Sequence, residues 1–250
     1  MNTFQTSEHE VATSRVTLVI PTLREAVNLR PLLDRARTAL DMADVRYEIV
    51  IVDDDSRDGT KELVTAIHEK DSRVRLLVRK GERGLSGAIL HGWRSSDADI
   101  LGVMDADLQH PPEMLPQLLK AILDGADLAI GSRYTQGGEL GKWNWMRRFL
   151  SAAAIRVSWP IQRKGCRVND PMAGFFMVRS QCVKGVRFQS KGFKLLLEVL
   201  ARGRLRSVTE IPIVFGLREQ GNSKANFTVG WDYAILLVRL YTAKLFSTRR

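Results

Sequence analysis

The chain has few cysteines and no long uninterrupted apolar run, and each absence excludes a class of protein. Only Cys166 and Cys182 occur in 250 residues, which argues against a disulfide scaffold and fits a reducing compartment. The four histidines are scattered and form no zinc-type cluster with the cysteines. Within the apolar stretch 229–246, the longest uncharged part is Tyr233–Val238, far below the roughly 20 residues of a spanning helix. The sequence therefore indicates neither a disulfide-rich, nor a zinc-binding, nor a membrane-spanning protein.

Charge is divided unevenly along the chain. Residues 1–140 carry 17 Lys and Arg against 23 Asp and Glu, whereas residues 141–250 carry 21 against 5. The net charges are therefore −6 and +16, which together give the overall +10. The N-terminal residues 1–14 lack the basic and apolar regions of a signal peptide and are expected to be flexible. The basic half indicates nucleic acid, anionic lipid or a phosphorylated substrate as a partner, unless it is only a solvated surface.

Short apolar runs alternate with helical patterns through the first 130 residues. This alternation predicts an α/β fold with a mostly parallel sheet covered by helices on both faces. The predicted strands are Val16–Ile20, Tyr47–Val52, Val74–Val78, Ile100–Met104 and Asp127–Ile130, with helices over Ala26–Leu40, Lys61–Glu69, Ser86–Arg94 and Pro112–Leu123. Further along, the patterns predict helices at Trp143–Trp159 and Phe193–Ala201 and strands at Ala173–Val178 and Ser207–Phe215. Ligands of such sheets bind at the carboxyl ends of the strands.

A cluster of acidic residues follows the second predicted strand, in Asp53-Asp54-Asp55-Ser56-Arg57-Asp58. Three adjacent carboxylates repel one another unless a cation or hydrogen-bond donors compensate them. Ser56 or Asp58 could cap the next helix, but capping cannot employ the whole cluster. A carboxylate here could instead accept hydrogen bonds from a base or a ribose.

Two carboxylates follow the fourth predicted strand. Asp105 and Asp107 are two residues apart, so on an extended chain they project to the same side, with Gln109 two residues further on. Hard oxygen ligands of this kind suit Mg²⁺ or Mn²⁺ bound beside phosphates. The alternative is an Asx-turn and a helix cap before Pro111 and Pro112.

Several motifs recur in the order found in a known family. They are PTLREAVNL (21–29), VDDDSRDGT (52–60), GLSGAILHG (84–92), MDADLQHPPE (104–113), GSRY (131–134), NDPMAGFF (169–176), GFKLLLEVL (192–200) and FGLREQGNSK (215–224). The chain resembles the family 2 glycosyltransferases, and among them the polyprenyl-phosphate (dolichyl-phosphate) mannosyltransferases. The resemblance covers nearly the whole chain from Arg15 to Lys224.

The resemblance implies a GT-A fold, a nucleotide diphosphate-sugar donor, a divalent cation and a lipid monophosphate acceptor. It divides the chain into a GT-A domain at 15–224, with a nucleotide- and metal-binding half at 15–135 and an acceptor half at 136–224, and an amphipathic membrane-interface helix at 225–250. It implies metal ligation by Asp105, Asp107 and Gln109, a catalytic role for Asp107 and Arg133, and acceptor-phosphate contacts from Arg147 and Ser151. The donor-binding residues that it implies are Pro21, Leu23, Glu25, Val52, Asp54, Asp105, Ala106, Asp107, Arg133, Arg218 and Lys224.

One segment departs from the family pattern. The family usually has Pro-Thr-Tyr-Asn-Glu where this chain has Pro21-Thr22-Leu23-Arg24-Glu25. Leu23 lacks an aromatic ring that could stack on a base, and Arg24 replaces a neutral amide with a charge. The resemblance therefore implies GDP-mannose as donor but leaves UDP-glucose or a UDP-N-acetylhexosamine open.

The chemistry of a lipid monophosphate acceptor fits the basic half of the chain. Such a phosphate is already anionic near pH 7, because its second pKa is about 6, so no general base is expected. Arginines would allow the anionic acceptor phosphate to approach the anionic donor diphosphate. Direct attack by the acceptor would invert the configuration at the anomeric carbon. The resemblance thus predicts a metal-dependent, inverting transferase without a nucleic-acid partner, although a non-catalytic scaffold on this fold stays open.

Aromatic and basic residues are interleaved in the C-terminal half. Trp143, Trp145, Phe149 and Trp159 lie among Lys142, Arg147, Arg148 and Arg156, and the tail repeats the mixture. Such residues suit the membrane interface, although the aromatic side chains could instead be core. We therefore expect a cytoplasmic protein held peripherally on the cytoplasmic face of a membrane. The segment after Lys224 fits either direct interfacial binding or a separate anchoring subunit.

Overall fold

A mixed sheet of seven strands forms the centre of the described part of the chain. The structure is a computed structural model and describes residues 14–137, 155–163, 165–189, 195–216 and 235–242. The strand order is β3-β2-β1-β4-β6-β5-β7, and β6 alone runs antiparallel to its neighbours among these strands. The strands are β1 (Arg15–Thr22), β2 (Arg46–Asp53), β3 (Val74–Val78), β4 (Ile100–Val103), β5 (Leu128–Ser132), β6 (Phe176–Arg179) and β7 (Val208–Pro212).

Helices connect these strands and cover both faces of the sheet. They are α1 (Ala26–Met42), α2 (Thr60–His68), α3 (Leu85–Arg94), α4 (Leu115–Leu123), α5 (Ser180–Val183) and α6 (Leu195–Arg202), with a 3₁₀ turn at Pro112–Met114. Residues 235–242 are also helical. In β1, Leu18 and Ile20 pack into the core that includes α1, α2 and α4, whereas Val19 packs into the opposite core with α3 and α6. The apolar strands are thus buried on both sides, as a covered parallel sheet requires.

The predicted α/β architecture is confirmed, with differences at the later elements. The strand predicted at Ala173–Val178 starts only at Phe176, and the strand predicted at Ser207–Phe215 ends at Pro212. β7 ends there because its partner β5 ends at Ser132. The predictions for residues 1–13, for most of the helix at Trp143–Trp159 and for most of the tail at 225–250 lie outside the described residues.

Both cysteines, Cys166 and Cys182, are free and buried. Burial raises the pKa of the Cys182 thiol to about 11, so it is protonated at neutral pH. Among the described residues, no helix has the length and apolar character needed to cross a membrane.

A buried ion pair joins β2 to the segment that follows β3. The guanidinium of Arg79 contacts Asp54 Oδ1 through Nη2 at 2.6 Å and through Nε at 2.8 Å. The second oxygen of Asp54 accepts a hydrogen bond from the Gly84 N–H at 2.8 Å. The side chains of Arg79 and Asp54 are only 3% and 5% exposed. Because both charges are removed from water, each depends on the other.

We expect Arg79→Met to lower the free energy of unfolding by about 3–5 kcal/mol, since it leaves the Asp54 charge buried without a partner. Urea unfolding followed by circular dichroism measures this. The double variant Arg79→Met/Asp54→Asn should lose less than the single variant because it buries no unpaired charge. The control is Lys120→Met, because the Lys120 side chain is 73% exposed and pairs with the 59% exposed Asp124. Its free energy of unfolding should fall by about 1 kcal/mol or less. Equal losses for Arg79→Met and Lys120→Met would contradict this account.

Candidate active site

The carboxyl ends of β2, β1 and β4 lie side by side, because these three strands are adjacent and parallel. This edge brings together the residues that the sequence predicts for donor and metal binding, apart from Arg133, which follows β5, and apart from Arg218 and Lys224. Pro21, Val52, Asp54 and Ala106 are buried, whereas the exposure of Leu23, Glu25, Asp105, Asp107 and Gln109 is intermediate. Arg218, Lys224, Arg147 and Ser151 lie outside the described residues.

Each carboxylate of the cluster after β2 except the exposed Asp55 has its own hydrogen-bond donors. Asp53 accepts hydrogen bonds from the Ser56 N–H at 2.7 Å and the Ser56 hydroxyl at 2.6 Å. Asp58 accepts from the backbone N–H groups of Thr60 and Ala26, at the starts of α2 and α1. Burial alone would raise the pKa of Asp58, but the hydrogen bond from the Thr60 hydroxyl at 2.7 Å, together with these backbone hydrogen bonds, outweighs it, and the pKa is lowered. The predicted compensation of this cluster is therefore found.

Asp54, predicted to bind the nucleotide, has both carboxylate oxygens bonded within the protein, to Arg79 and Gly84. Arg79 was not identified from the sequence, because no local spacing links it to Asp54. A role of Asp54 toward a nucleotide stays a prediction.

Asp105, after β4, differs from Asp53, Asp54 and Asp58 because one of its oxygens has no hydrogen-bond donor. Its Oδ1 is buried and has no hydrogen-bond partner in the structure. Its Oδ2 lies 3.5 Å from Nε2 of His110. Gly174 lies directly against the carboxylate, and a Cβ at that position would be 2.8 Å from Asp105 Cγ. A buried carboxylate oxygen without a donor is the feature that a cation would satisfy.

The segment after Asp105 has a strained turn at Leu108, whose φ is +61°. The Gln109 N–H donates to Asp107 Oδ1 at 3.2 Å, which is the Asx-turn considered as the alternative. The helix cap of that alternative is not found, since neither the 3₁₀ turn nor α4 has a side-chain cap. The Gln109 side-chain amide nitrogen donates to the Gly216 carbonyl at 3.1 Å. This bond leaves Gln109 Oε1 as the atom that could bind a cation.

His110 is buried between two aromatic rings. Its ring centroid lies 5.4 Å from that of Phe175 and 5.1 Å from that of Phe215. Its Nδ1 is buried without a hydrogen-bond partner. The two rings hold the imidazole with its Nε2 beside Asp105, 3.5 Å from Oδ2, a contact that the sequence did not identify.

Arg133, after β5, is held by a fully buried carboxylate. Asp170 Oδ2 accepts from Arg133 Nε at 2.7 Å and from the Arg133 backbone N–H at 3.1 Å, while Oδ1 accepts from Nη2 at 2.8 Å. Burial alone would lower the pKa of Arg133, but Asp170, with smaller effects from Tyr134 and Asp105, raises it. Arg133 is therefore a fixed cation. Asp170 lies within the NDPMAGFF motif, but nothing in the sequence pairs it with Arg133.

No group of three or more His, Cys, Asp or Glu side chains within the described ranges is arranged to hold a metal ion. A Mg²⁺ or Mn²⁺ ion is commonly held by one or two carboxylates together with substrate phosphates. Asp105 with its unpartnered oxygen, together with Asp107, fits that ligand set. The residues present therefore fit a cation that a diphosphate helps to bind.

Comparison with known proteins gives the same family as the motifs. The Glycosyl transferase family 2 profile matches residues 17–188. A dolichol-phosphate mannosyltransferase of Pyrococcus furiosus is 41% identical over 226 residues, which are 90% of this chain and 63% of that protein. A dolichol-phosphate mannosyltransferase of Saccharomyces cerevisiae is 36% identical, over 91% of this chain and 87% of that protein. The chain thus spans less than two thirds of the Pyrococcus relative.

A solved structure of similar fold is glucosyl-3-phosphoglycerate synthase from Mycobacterium tuberculosis in complex with UDP. It has a TM-score of 0.66 at 18% identity and covers 96% of this chain and 83% of its own. This likeness shows that the chain has a GT-A-like fold. From the profile match, the relatives and the fold together, the chain belongs to glycosyltransferase family 2.

Proposed function

We propose that the protein transfers mannose from GDP-mannose to a polyprenyl or dolichyl monophosphate, with inversion at the anomeric carbon. One observation carries this proposal. The same sheet edge holds a carboxylate with an unpartnered oxygen, Asp105, and an arginine whose guanidinium is fixed by another group, Arg133. The names of the relatives, dolichol-phosphate and polyprenol mannosyltransferases, support the acceptor class and the sugar.

The donor would bind across the ends of β2, β1 and β4. We assign contacts with the base and the ribose to five residues near these strand ends, Pro21, Leu23, Glu25, Val52 and Asp54. Asp105 and Asp107, with Gln109 Oε1, would hold Mg²⁺ or Mn²⁺ beside the diphosphate. A divalent cation bound there would stabilise the negative charge that develops on the leaving diphosphate.

Arg133 would act on the phosphate side of the reaction. Its guanidinium is fixed by Asp170 and lies over the Phe215 ring, 5.2 Å from the centroid. A guanidinium that is already in place loses little conformational freedom when it meets a phosphate. Arg147, Ser151, Arg218 and Lys224 are proposed as further phosphate contacts. The acceptor phosphate attacks as an anion, so the chain needs no general base.

A UDP-sugar donor is the second candidate. A structure of the same fold is a complex with Mn²⁺ and UDP-glucose, and Leu23 and Arg24 replace the aromatic residue and the amide usual in the family. A transfer assay with labelled GDP-mannose, UDP-glucose and UDP-N-acetylglucosamine, each with a short polyprenyl phosphate in detergent and Mn²⁺, separates the donors. Label that enters the lipid only from a UDP-sugar would overturn the choice of mannose.

The same assay tests the metal ligands. We expect Asp107→Asn and Asp105→Asn to lower transfer on the order of 100-fold or more, because charge stabilisation at a leaving group supplies several kcal/mol. Removing the metal with EDTA should have the same effect on the unmodified protein. Asp124→Asn is the control, since that side chain is 59% exposed and pairs only with Lys120 on the surface. Full activity of Asp107→Asn, or in EDTA, would exclude the proposed metal site.

Gly174 gives a separate test of the position of Asp105. A Cβ there would meet the Asp105 carboxylate, whose side chain is 31% exposed and can move aside. We therefore expect Gly174→Ala to fold but to lose transfer by about 10-fold or more, as misplaced catalytic groups do. Thermal unfolding and initial rates measure the two effects.

Gly102→Ala is the matched control, because its Cβ would be 3.0 Å from the flexible end of Leu18 and would not touch Asp105. It should affect the melting temperature but not the rate of the folded protein. If Gly174→Ala transfers at the normal rate, the carboxylate need not lie where the structure places it.

Residues 155–159 and 235–242 carry exposed apolar side chains that suit a membrane surface. We propose that the protein binds a membrane peripherally, on its cytoplasmic side, through these two segments. An anchoring subunit could assist this binding. The Tyr241 hydroxyl donates to the Val157 carbonyl at 2.7 Å, which joins residues 155–158 to the helix at 235–242. Val157, Trp159 and Val238 are 48%, 38% and 62% exposed. Exposed Arg156 and Arg239 lie in the same segments and would favour anionic lipid.

We expect Trp159→Ser to weaken binding to vesicles by about 10-fold, since less apolar surface enters the interface. Cosedimentation with phosphatidylglycerol-containing vesicles measures this. Met42→Ser is the control, because Met42 is 80% exposed on α1, outside the two segments. Equal weakening by both variants would count against this surface.

A further inference from the structure

Asp170 is fully buried and is not among the residues predicted to meet substrate. Three hydrogen bonds join it to Arg133, at 2.7, 2.8 and 3.1 Å. Its carboxylate therefore fixes both the backbone and the guanidinium of Arg133. The paired contact of two guanidinium nitrogens with two carboxylate oxygens also sets the plane of the guanidinium.

Asp170 is itself held in place from β7. Glu210 Oε1 accepts from the Asp170 N–H at 3.0 Å, and Glu210 Oε2 accepts from the backbone and side-chain nitrogens of Asn169, both at 2.9 Å. Since β7 pairs with β5, which ends beside Arg133, the carboxylate and the arginine are anchored to neighbouring strands. The pair is therefore rigidly supported.

Arg133 and Asp105 belong to one cluster of side chains. The Phe215 ring contacts Arg133 and His110, since the Arg133 guanidinium carbon lies 5.2 Å from its centroid and the His110 ring centroid lies 5.1 Å from it. His110 in turn lies 3.5 Å from Asp105. Asp105 also contributes to the raised pKa of Arg133, so the two charges act on each other. Even so, Asp105 Oδ1 has no partner.

A guanidinium in the same cluster as a carboxylate with a buried, unpartnered oxygen is expected to pair with that carboxylate unless other groups hold the guanidinium in place. We propose that Asp170, supported by Glu210, is a positioning residue that holds Arg133 away from Asp105. Asp105 then stays available to a divalent cation, and Arg133 to a phosphate. This inference rests on the proposed function, because it assigns the two groups to the metal and phosphate sides of that site.

The proposal predicts the behaviour of three variants. Asp170→Asn weakens the hold on Arg133, because it removes the negative charge and replaces one acceptor oxygen with an amide nitrogen that cannot accept; we expect Arg133 then to pair with Asp105. Mn²⁺ affinity should fall by about 10-fold, because the Arg133 guanidinium then competes with the cation for Asp105 and a lost ion-pair contact of roughly 1.4 kcal/mol is tenfold in affinity. Glu210→Gln should act in the same direction but less. In Asp170→Asn/Arg133→Met the competing guanidinium is gone, so Mn²⁺ affinity should return although transfer does not.

Mn²⁺ binding is measured without turnover, by electron paramagnetic resonance of free Mn²⁺ during titration of the full chain, alone and with GDP. Glu198→Gln is the matched control. Glu198 is also fully buried and contacts an arginine, Arg202, at 3.0 Å, but it lies in α6. It should lose stability in thermal unfolding without a change in Mn²⁺ affinity. Circular dichroism restricts the comparison to folded variants.

Loss of affinity in Asp170→Asn with recovery in the double variant supports the proposal. Equal affinity of Asp170→Asn and the unmodified protein overturns it and leaves the proposed function intact, as does a loss that the double variant fails to restore. If the unmodified protein binds no Mn²⁺ with or without GDP, the proposed metal site is wrong and the inference fails with it.

Discussion

Repulsion among carboxylates at one sheet edge is the constraint on which the rest of this structure depends. Parallel strands deliver their following residues to the same edge, so Asp53, Asp54 and Asp105 come close in the fold. The protein compensates most of these charges internally, with hydroxyl and N–H donors for Asp53 and the Arg79 guanidinium for Asp54. Asp105 is the exception, because one of its oxygens is buried without a donor. The compensated carboxylates organise loops and helix starts, whereas the uncompensated one can bind a ligand.

The antiparallel strand β6 completes this edge from the other direction. Because β6 runs opposite to β4 and β5, the residues before it return to the carboxyl ends of the parallel strands. This reversal brings Asp170 to Arg133 and Gly174 to Asp105. If β6 were parallel, the residues that follow it, and not those that precede it, would lie at this edge. The mixed topology thus joins the acidic first half of the chain to the basic second half at one site.

Segments that are far apart in sequence meet around a single aromatic ring. Phe215, after β7, contacts both His110 and Arg133, while the adjacent Gly216 exchanges hydrogen bonds with Gln109. Movement of this segment would therefore change the surroundings of Asp105 and of Arg133, the proposed metal and phosphate groups, together. Because one segment contacts both sides, it helps to keep the opposite charges of Asp105 and Arg133 apart.

The apolar periodicity of the sequence determined the strands of the first half, because strands buried on both faces must be continuously apolar. The sequence also placed Asp105, Asp107 and Gln109 together, since they lie within one short segment after a strand. It could not pair Arg79 with Asp54, or Asp170 and Glu210 with Arg133, because such contacts join segments of distant sequence position and carry no local spacing. The contact of Gly174 with Asp105 likewise depends on the direction of β6. Local pattern therefore determined which residues are the candidates for the chemistry, whereas the tertiary structure decided which of their charges are neutralised within the protein and which are not.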